Sequence, residues 1–301
     1  VVILFIRIMK NYRLLYRRGI LLLLASGFFL STSGIALRII EQADGWQILF
    51  YRSLALSVTI LLVLVFQKGS MFFDEFCGLG WNDCLLAVFL GTGFVAYVFA
   101  LLYNTVANAL FIFSCAPFVA GFLGWILLGE RVATRTWFAI GAAMAGLTVM
   151  VGNELAVSRY LGTLIALWIP IAYAASIIVI RSSKRENMLA ALCLAGLVSG
   201  GLSAIFVNDY ALTLKDLIIS LYLGVFQAGV GFTLVVLGTR NVPAAQVGLL
   251  AMVEPVLAPI WVWMGVGEVP GLATIVGGAI IFLAIIIDGI LNIKSSESHS
   301  T

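Results

Sequence analysis

Apolar stretches long enough to cross a lipid bilayer recur along the whole of this sequence. About twenty apolar residues in a helix span the hydrocarbon core of a membrane. An open strand edge cannot be satisfied in lipid, and a barrel would show shorter alternating segments, so each stretch is expected to be a helix. We therefore predict an all-α membrane protein with ten transmembrane helices. The candidate spans are 19–40, 45–66, 84–102, 106–128, 136–151, 161–180, 188–207, 217–237, 243–266 and 271–290.

Composition argues against several other classes of protein. Hydrophobic residues make up 62% of the chain and charged residues only 10%, with a mean hydropathy of +1.14, and this apolar share is far beyond that expected for a soluble globular domain. The net charge of +3 is not gathered into a stripe, so nucleic acid is not an expected partner. The one histidine, His299, lies in a polar tail, and the four cysteines lack metal-ligand spacing. We expect no metal, no cofactor and no catalytic set, and the sequence has no G-x-x-x-x-G-K-[ST] loop for ATP.

The basic residues predict how the chain is oriented. Most of the 17 Lys and Arg residues fall on one side of the alternating spans. Because loops rich in Lys and Arg stay in the cytoplasm, both termini of this multi-pass protein are predicted there. Residues 1–18 would form a basic cytoplasmic N-terminus, in which Met9 is an alternative start, and residues 293–301 a cytoplasmic polar tail.

The chain also repeats itself. Residues 114–130 match residues 252–268 with a constant shift of 138 positions. The matched pairs are Pro117 and Pro255, Trp125 and Trp263, Gly129 and Gly267, and Glu130 and Glu268. We therefore predict two five-helix repeats, residues 19–152 and 160–292. An odd number of spans inverts the second copy, and inverted repeats are typical of carriers with a substrate site near the middle of the membrane.

These motifs resemble the EamA family of the drug/metabolite transporter superfamily. The resemblance rests on the P…W…LGE pattern at residues 117–130, its second copy at 255–268, and the Arg52-Ser53 pair early in the second span. It covers residues 19–290 and implies a ten-helix carrier in a bacterial inner membrane. The spans lack histidine and hold few carboxylates, so an enzyme is not expected. The motif mainly reports helix packing and loop geometry, so it does not make Glu130 or Glu268 a binding residue.

The resemblance also suggests a function without naming a substrate. It implies a secondary transporter that moves a small organic metabolite, such as an amino acid or related solute, by alternating access, with export favoured. The alternative is an importer of a vitamin or nucleotide-like solute such as riboflavin. The expected partners are a small-molecule substrate and membrane lipid, and a homodimer is left open.

Glu254 is the leading site candidate because it is a carboxylate within about twenty apolar residues, where a charge is costly. Pro255 follows it and should bend the helix there. The first repeat has Ala116 at the matching position, so Glu254 breaks the symmetry. It could bind a cationic group of the substrate or carry a coupling proton. Alternatively, it only joins two helices.

Arg52 lies about seven residues inside the predicted outer end of the second span. It could bind an anionic group such as a carboxylate. The competing interpretation is an interface anchor or a structural ion pair with Glu41, Asp44 or Glu254.

Further polar and aromatic residues lie in spans that would meet at a central cavity if the two halves face each other. Gln246 and Glu254 are eight positions apart and would share one face of a continuous helix. Such residues also serve as ordinary hydrogen-bonding partners between membrane helices, so both readings stay open. The further candidates for substrate binding or coupling are Tyr97, Asn108, Trp168, Tyr173, Gln227 and Gln246.

Overall fold

The computed structural model describes residues 2–103, 106–151, 160–185, 188–267 and 269–298. Side chains are described from residue 14 onwards, apart from those of residues 70, 106–108, 151, 160, 266 and 292–298. All regular structure in these ranges is helical. The α-helices are α1 (Val2–Leu30), α2 (Ser33–Ile39), α3 (Gly45–Lys68), α4 (Phe72–Cys77), α5 (Trp81–Tyr103), α6 (Val106–Phe113), α7 (Ala116–Leu128), α8 (Thr134–Val151), α9 (Tyr160–Ser182), α10 (Leu189–Phe206), α11 (Leu214–Tyr222), α12 (Gly231–Thr239), α13 (Ala244–Ala251), α14 (Val253–Val266) and α15 (Leu272–Ser298). A 3₁₀ turn (Gly69–Met71) precedes α4, and a π-helical segment (Leu223–Val230) joins α11 to α12.

Nine segments of the described chain are helical, long and apolar enough to cross a membrane. They are Leu14–Ile39, Gly45–Lys68, Trp81–Tyr103, Ala109–Leu128, Leu161–Ser182, Leu189–Phe206, Leu214–Thr239, Ala244–Gly265 and Leu272–Leu291. This confirms the multi-pass helical membrane architecture. The remaining predicted span, 136–151, coincides with α8, which is a helix but not one of these nine segments.

Two of the spans are interrupted for the same reason. The helix α6 ends at Phe113 and α13 ends at Ala251, each four residues before a proline. Pro117 and Pro255 have no N–H to donate to those carbonyl groups, and their rings obstruct the turn. The bend expected at Pro255 therefore appears as a break at Met252, between α13 and α14.

The first span breaks without a proline. Ser31 and Thr32 separate α1 from α2, and their hydroxyl groups donate to the carbonyl groups of Phe28 and Phe29 at 2.7 and 2.8 Å. Such bonds from a side chain to the preceding turn compete with the helix ladder. The break makes Ser33 the first residue of α2.

Helices from the first half of the chain pack mainly against helices from the second half. The helix α3 packs on α10, α7 on α13, and α8 on α15, while α5 packs on α9 and α1 on α12. The contact between α7 and α13 is close because Gly248 faces the backbone of Pro117, where a Cβ on residue 248 would lie 2.6 Å from the Cα. Glycine at this position lets the two interrupted spans meet.

The loops at one end of the bundle are joined by charged side chains. Glu130 follows Gly129, which ends α7 in the left-handed conformation (φ 67°). Its carboxylate accepts hydrogen bonds from Arg181 Nε at 2.6 Å and from the backbone N–H of Ala244, the first residue of α13, at 3.0 Å. Arg181 also donates to the carbonyl group of Val242. The motif glutamate thus ties together α7, α9 and α13. Its counterpart Glu268 lies outside the described residues.

A second charged cluster lies at the same end, around the connection between α3 and α5. Arg185 pairs with Glu75 at 2.8 Å and with Asp83 at 3.2 Å. Partial burial acts to raise the pKa of Glu75, but hydrogen bonds and charge from Lys68 and Arg185 hold that pKa below its usual value. The connection thus carries the short helix α4 and is fixed to the loop that follows α9.

The opposite end is held by the loop between α2 and α3. The Asp216 carboxylate accepts hydrogen bonds from the backbone N–H groups of Glu41, Gln42 and Ala43, each at 3.1 Å. Lys215 pairs with Glu41 across this surface. The two halves of the chain are therefore bridged at both ends.

We predict that Glu130→Ala lowers the free energy of unfolding by about 2 kcal/mol, because it leaves a partly buried guanidinium and a helix N–H without their acceptor. The matched control is Glu41→Ala, whose ion pair is exposed and should contribute at most about 1 kcal/mol. Thermal melting of the purified protein in detergent measures both. Equal shifts for the two variants would contradict a bracing role for Glu130.

Candidate functional site

A cavity lies near the middle of the bundle, where the interrupted spans meet. Its empty volume, including the open side, is about 520 Å³. The apolar lining residues are Leu30, Phe89, Leu90, Gly93, Phe94, Phe113, Ile169, Phe232 and Ala251, and the polar ones are Arg52, Tyr97, Tyr173, Gln227 and Glu254. A mostly apolar cavity with a few converging polar groups is the usual form of a small-molecule site. In membrane proteins, irregular backbone is tolerated only where it is covered by protein or lines a cavity.

Glu254 enters this cavity from the first turn of α14. The side chain is buried, and its Oε1 accepts a hydrogen bond from the hydroxyl group of Tyr97 at 2.6 Å. The Tyr97 oxygen in turn lies 2.7 Å from Oγ of Ser33. The break after Ser31 and Thr32 and the break before Pro255 thus bring the starts of α2 and α14 to the same tyrosine of α5.

Arg52 enters the cavity from α3 and is 3% exposed. Its Nε and Nη2 donate to Oε1 of Gln227 at 3.3 and 3.2 Å, and the guanidinium lies 5.1 Å from the centroid of the Phe94 ring. The remaining nitrogen, Nη1, is buried and has no hydrogen-bond acceptor among the residues that the structure describes. A buried guanidinium donor without an acceptor is costly, and an anionic ligand would satisfy it.

Two of the alternative partners proposed for Arg52 are engaged elsewhere. Glu41 pairs with Lys215, and the Asp44 side chain caps α3 by accepting from the backbone N–H groups of Trp46 and Gln47. The interaction that holds Arg52 is therefore with an amide and an aromatic ring.

The π-helical segment Leu223–Val230 sets the position of Gln227. Such segments are rare and often occur at functional sites. A Cβ on Gly224 would overlap the carbonyl oxygen of Arg52 and the Cβ of Ala55. The lack of a side chain there lets the π segment approach α3 closely enough for Gln227 to reach the guanidinium. The π segment is not predicted from the sequence, although the glycines at 224, 229 and 231 are an available signal.

Of the other predicted residues, Tyr173 also lines the cavity. It lies on α9, and its ring meets that of Phe113 edge to face with centroids 5.4 Å apart. Trp168 lies on α9 as well but faces a separate outer groove, where its Nε1 donates to Thr92 Oγ1 at 3.1 Å. The side chain of Asn108 lies outside the described residues.

Gln246 belongs to a different polar cluster. Its Nε2 donates to Asp288 at 3.0 Å, and its Oε1 accepts from the Tyr16 hydroxyl at 3.0 Å. Thr136 donates to the other oxygen of Asp288 at 2.8 Å. The break at Met252 ends the continuous helix that would have placed Gln246 and Glu254 on one face. The buried Asp288 is not among the site residues predicted from the sequence.

The described residues contain no group of three or more His, Cys, Asp or Glu side chains that could hold a metal ion. The chemistry available at the central cavity is therefore that of one guanidinium, one carboxyl group, hydroxyl and amide groups, and an aromatic wall. These groups can bind and orient a charged organic solute.

The fold defines a helical multi-pass membrane protein with a cavity between its two halves. The EamA-like transporter family matches residues 17–152 and 160–288, and the chain belongs to this family, which is part of the drug/metabolite transporter superfamily. A curated relative from Archaeoglobus fulgidus, named an uncharacterized transporter, is 25% identical over 205 residues, which cover 67% of this chain and 74% of the relative. A solved crystal structure covers 92% of this chain and 98% of its own, with a TM-score of 0.78 at 18% identity, which supports the fold alone.

Family membership indicates membrane transport rather than enzymatic activity. The protein is thus an EamA-family transporter, as the resemblance of the sequence motifs implied.

We predict that Gln227→Leu lowers the free energy of unfolding by roughly 1–3 kcal/mol, because Nε and Nη2 of Arg52 lose their acceptor inside the bundle. Gln67→Leu, at the exposed end of α3, is the matched control and should leave stability nearly unchanged. Thermal melting in detergent compares the two variants. A Gln227→Leu protein as stable as the control would mean that Arg52 does not depend on this amide.

Proposed function

We propose that this protein is a secondary transporter that carries an amino acid or related small solute through the central cavity by alternating access. The observation that carries the proposal is the Nη1 donor of Arg52, buried and without an acceptor in the described part of the chain, in the same cavity as the Glu254 carboxyl group. A free amino acid has one group for each. Its carboxylate would satisfy Arg52, and its ammonium group would pair with Glu254.

The aromatic wall accounts for the rest of the solute. Phe94, Phe113, Phe232 and Tyr173 give the cavity an apolar surface suited to a hydrocarbon or aromatic side chain. The same wall, with the amide of Gln227, favours the second candidate, an importer of a vitamin or nucleotide-like solute such as riboflavin. A flat ring system would use stacking more than charge.

The helix packing supports a ten-helix protein made of two inverted five-helix repeats. In that arrangement α8 and α15 are the fifth spans of the two repeats, and α3 and α10 are the second spans, and each pair is in contact. The contact of α5 with α9 has its counterpart in α12 with α1, as expected when a two-fold axis relates the halves. Gly267 ends α14 in the left-handed conformation (φ 77°) as Gly129 ends α7. Inverted halves around a buried site are the usual architecture for alternating access.

The arrangement of charges supports the proposed orientation. Arg181, Arg185 and Arg240 lie together at one end of the bundle, joined through the carbonyl groups and carboxylates of neighbouring loops. Arginine-rich loops favour the cytoplasmic side, which would place both termini there, in an inner membrane. Export is the proposed direction on the strength of the family alone. A homodimer stays an open proposal.

A thermal-shift screen of the purified protein against a metabolite library is the first experiment, because a ligand that binds the folded state raises its apparent stability. Solutes found this way are then tested for saturable counterflow in proteoliposomes. Stabilisation by flavins but not by amino acids would favour the second candidate. Counterflow that does not saturate would contradict a carrier.

We predict that Arg52→Met weakens binding of carboxylate-bearing solutes about 10-fold or more, because a charge-assisted hydrogen bond contributes roughly 1.5–3 kcal/mol. The carboxamide analogues of the same solutes should change by no more than about twofold, since they offer no charge to Arg52. Competition against a labelled solute in counterflow measures both. Arg131→Met, at the exposed loop after α7, controls for loss of charge alone. Equal losses for acids and amides would contradict carboxylate recognition.

In the proposed mechanism Glu254 also carries the coupling proton. We therefore predict that Glu254→Gln abolishes proton-driven accumulation of solute in vesicles, because glutamine keeps the shape and cannot exchange a proton. Solute counterflow, which needs no net proton movement, should survive at a reduced rate. The two measurements are made on the same proteoliposomes with and without a pH gradient. Unchanged coupled transport would remove Glu254 from the coupling step.

A further inference from the structure

Three side chains from three different spans form one hydrogen-bonded chain that ends at Glu254. Ser33 begins α2, Tyr97 lies on α5, and Glu254 lies in the first turn of α14. The oxygen of Tyr97 is 2.7 Å from Ser33 Oγ and 2.6 Å from Glu254 Oε1. Ser33 and Glu254 are 4% and 5% exposed, so the hydrogen-bonded chain lies inside the protein.

The direction of these bonds follows from the number of hydrogens. The Tyr97 hydroxyl has one hydrogen and donates it to Glu254. Ser33 must therefore be the donor in its bond to Tyr97. Every donor in the chain points towards the carboxylate, which is the arrangement required for delivering a proton to Glu254.

We propose that Ser33 and Tyr97 are relay residues that carry the coupling proton between Glu254 and the end of the bundle that holds Glu41 and Lys215. This inference rests on the proposed coupling role of Glu254. It adds a route and two residues to that role, and it assigns proton exchange to one end of the transporter.

The transfer is balanced as a concerted shift along the chain. A hydronium ion that hydrogen-bonds to Ser33 gives a proton to Oγ, and the original Ser33 proton passes to the Tyr97 oxygen. The Tyr97 proton passes to Oε1 of Glu254. The products are a water molecule, two neutral hydroxyl groups and a protonated carboxyl group, and reversal of the same steps releases the proton.

Ser33 is the end of the hydrogen-bonded chain that lies farther from Glu254. It is also the first residue of α2, which runs towards the loop before α3. The helix α2 has seven residues, of which Ser33 is the first, so about 10 Å of helix lies between Ser33 and the loop that joins α2 to α3. The route from Ser33 to that end of the bundle is therefore short.

Few other charges face Glu254 within the cavity. The ionisable groups that line it alongside Glu254 are Arg52, Tyr97 and Tyr173. Arg52 is bonded to Gln227, and Tyr173 contacts Phe113 at its ring edge. Of these groups only Tyr97 is hydrogen-bonded to the carboxyl group in the described part of the chain. The chain through Tyr97 is therefore the direct connection that these residues offer to Glu254.

The test measures protonation of Glu254 and needs no substrate. The external pH of proteoliposomes with uniformly oriented protein is stepped, and the carboxyl stretching band is followed by infrared difference spectroscopy. The part of the signal that disappears in Glu254→Gln belongs to Glu254. Ser33→Ala should slow the protonation of Glu254 about 10-fold or more, because it removes the entry of the relay.

The controls separate a relay from a positioning role. Ser33→Ala keeps the bond between Tyr97 and Glu254, so the pH midpoint of the band should stay close to that of the wild type while the rate falls. Ser33→Thr restores a hydroxyl group and should recover the rate. Ser26→Ala is the matched control, because Ser26 is also buried and its hydroxyl donates to the Leu23 carbonyl within its own helix. Thermal melting confirms that each variant is folded.

The outcomes are distinguishable. If the Glu254 band titrates, and Glu254 is protonated as fast in Ser33→Ala as in Ser26→Ala, the relay is wrong and the coupling role of Glu254 stands. If Ser33→Ala shifts the pH midpoint of the Glu254 band enough to account for the slower protonation, Ser33 only positions the carboxyl group. The relay is then again overturned. If no titrating band is lost in Glu254→Gln, the coupling role and the relay fail together.

Discussion

Lipid offers no hydrogen bonds to a backbone, so every interruption of a membrane helix must be covered by protein or line a cavity. This chain interrupts its spans after Leu30, Phe113 and Ala251 and adds a π-helical segment at Leu223–Val230. Leu30, Phe113, Ala251 and Gln227 all line the same cavity. The irregular backbone is thus tolerated at the cavity, and it in turn sets the positions of the polar groups. Fold and site arise from one constraint.

The same constraint explains how two opposite charges share the cavity without forming a simple ion pair. Arg52 is held by the amide of Gln227 and the face of Phe94, and Glu254 is held by the hydroxyl of Tyr97. Each group is stabilised by neutral partners on its own side. An ion pair between them would satisfy both charges, so a charged solute would gain less from binding to either group. Separate neutral partners keep one donor of Arg52 available, which is the condition for recognising a solute that carries an anionic group.

The sequence predicted those parts of the structure that depend on local chemistry. Glu254, Arg52, Tyr97, Tyr173 and Gln227 were identifiable because polar or aromatic residues within apolar spans have to face one another, and they do share one cavity. Predictions that assumed a continuous helix did less well. Gln246 was placed with Glu254, but the break at Met252 assigns it to the cluster of Asp288 and Tyr16. The π segment depends on a contact between distant helices, Gly224 against Arg52, which the glycines of this segment signal only weakly. The break at Ser31 and Thr32 follows from hydrogen bonds to the preceding turn of the same helix.

Glu130 and Glu254 show why a glutamate in a membrane protein must be judged by its partners. Glu130 has a basic and a backbone partner, Arg181 and the N–H of Ala244 at the start of α13, so its charge is satisfied within the protein. An acceptor at a helix N-terminus also interacts favourably with the helix dipole. Glu254 has only a neutral hydroxyl donor among the described residues, at the point where the first repeat carries Ala116. Glu130 therefore maintains the packing of the two halves, while Glu254 shares the cavity with Arg52 and, under the proposed function, is available to a solute.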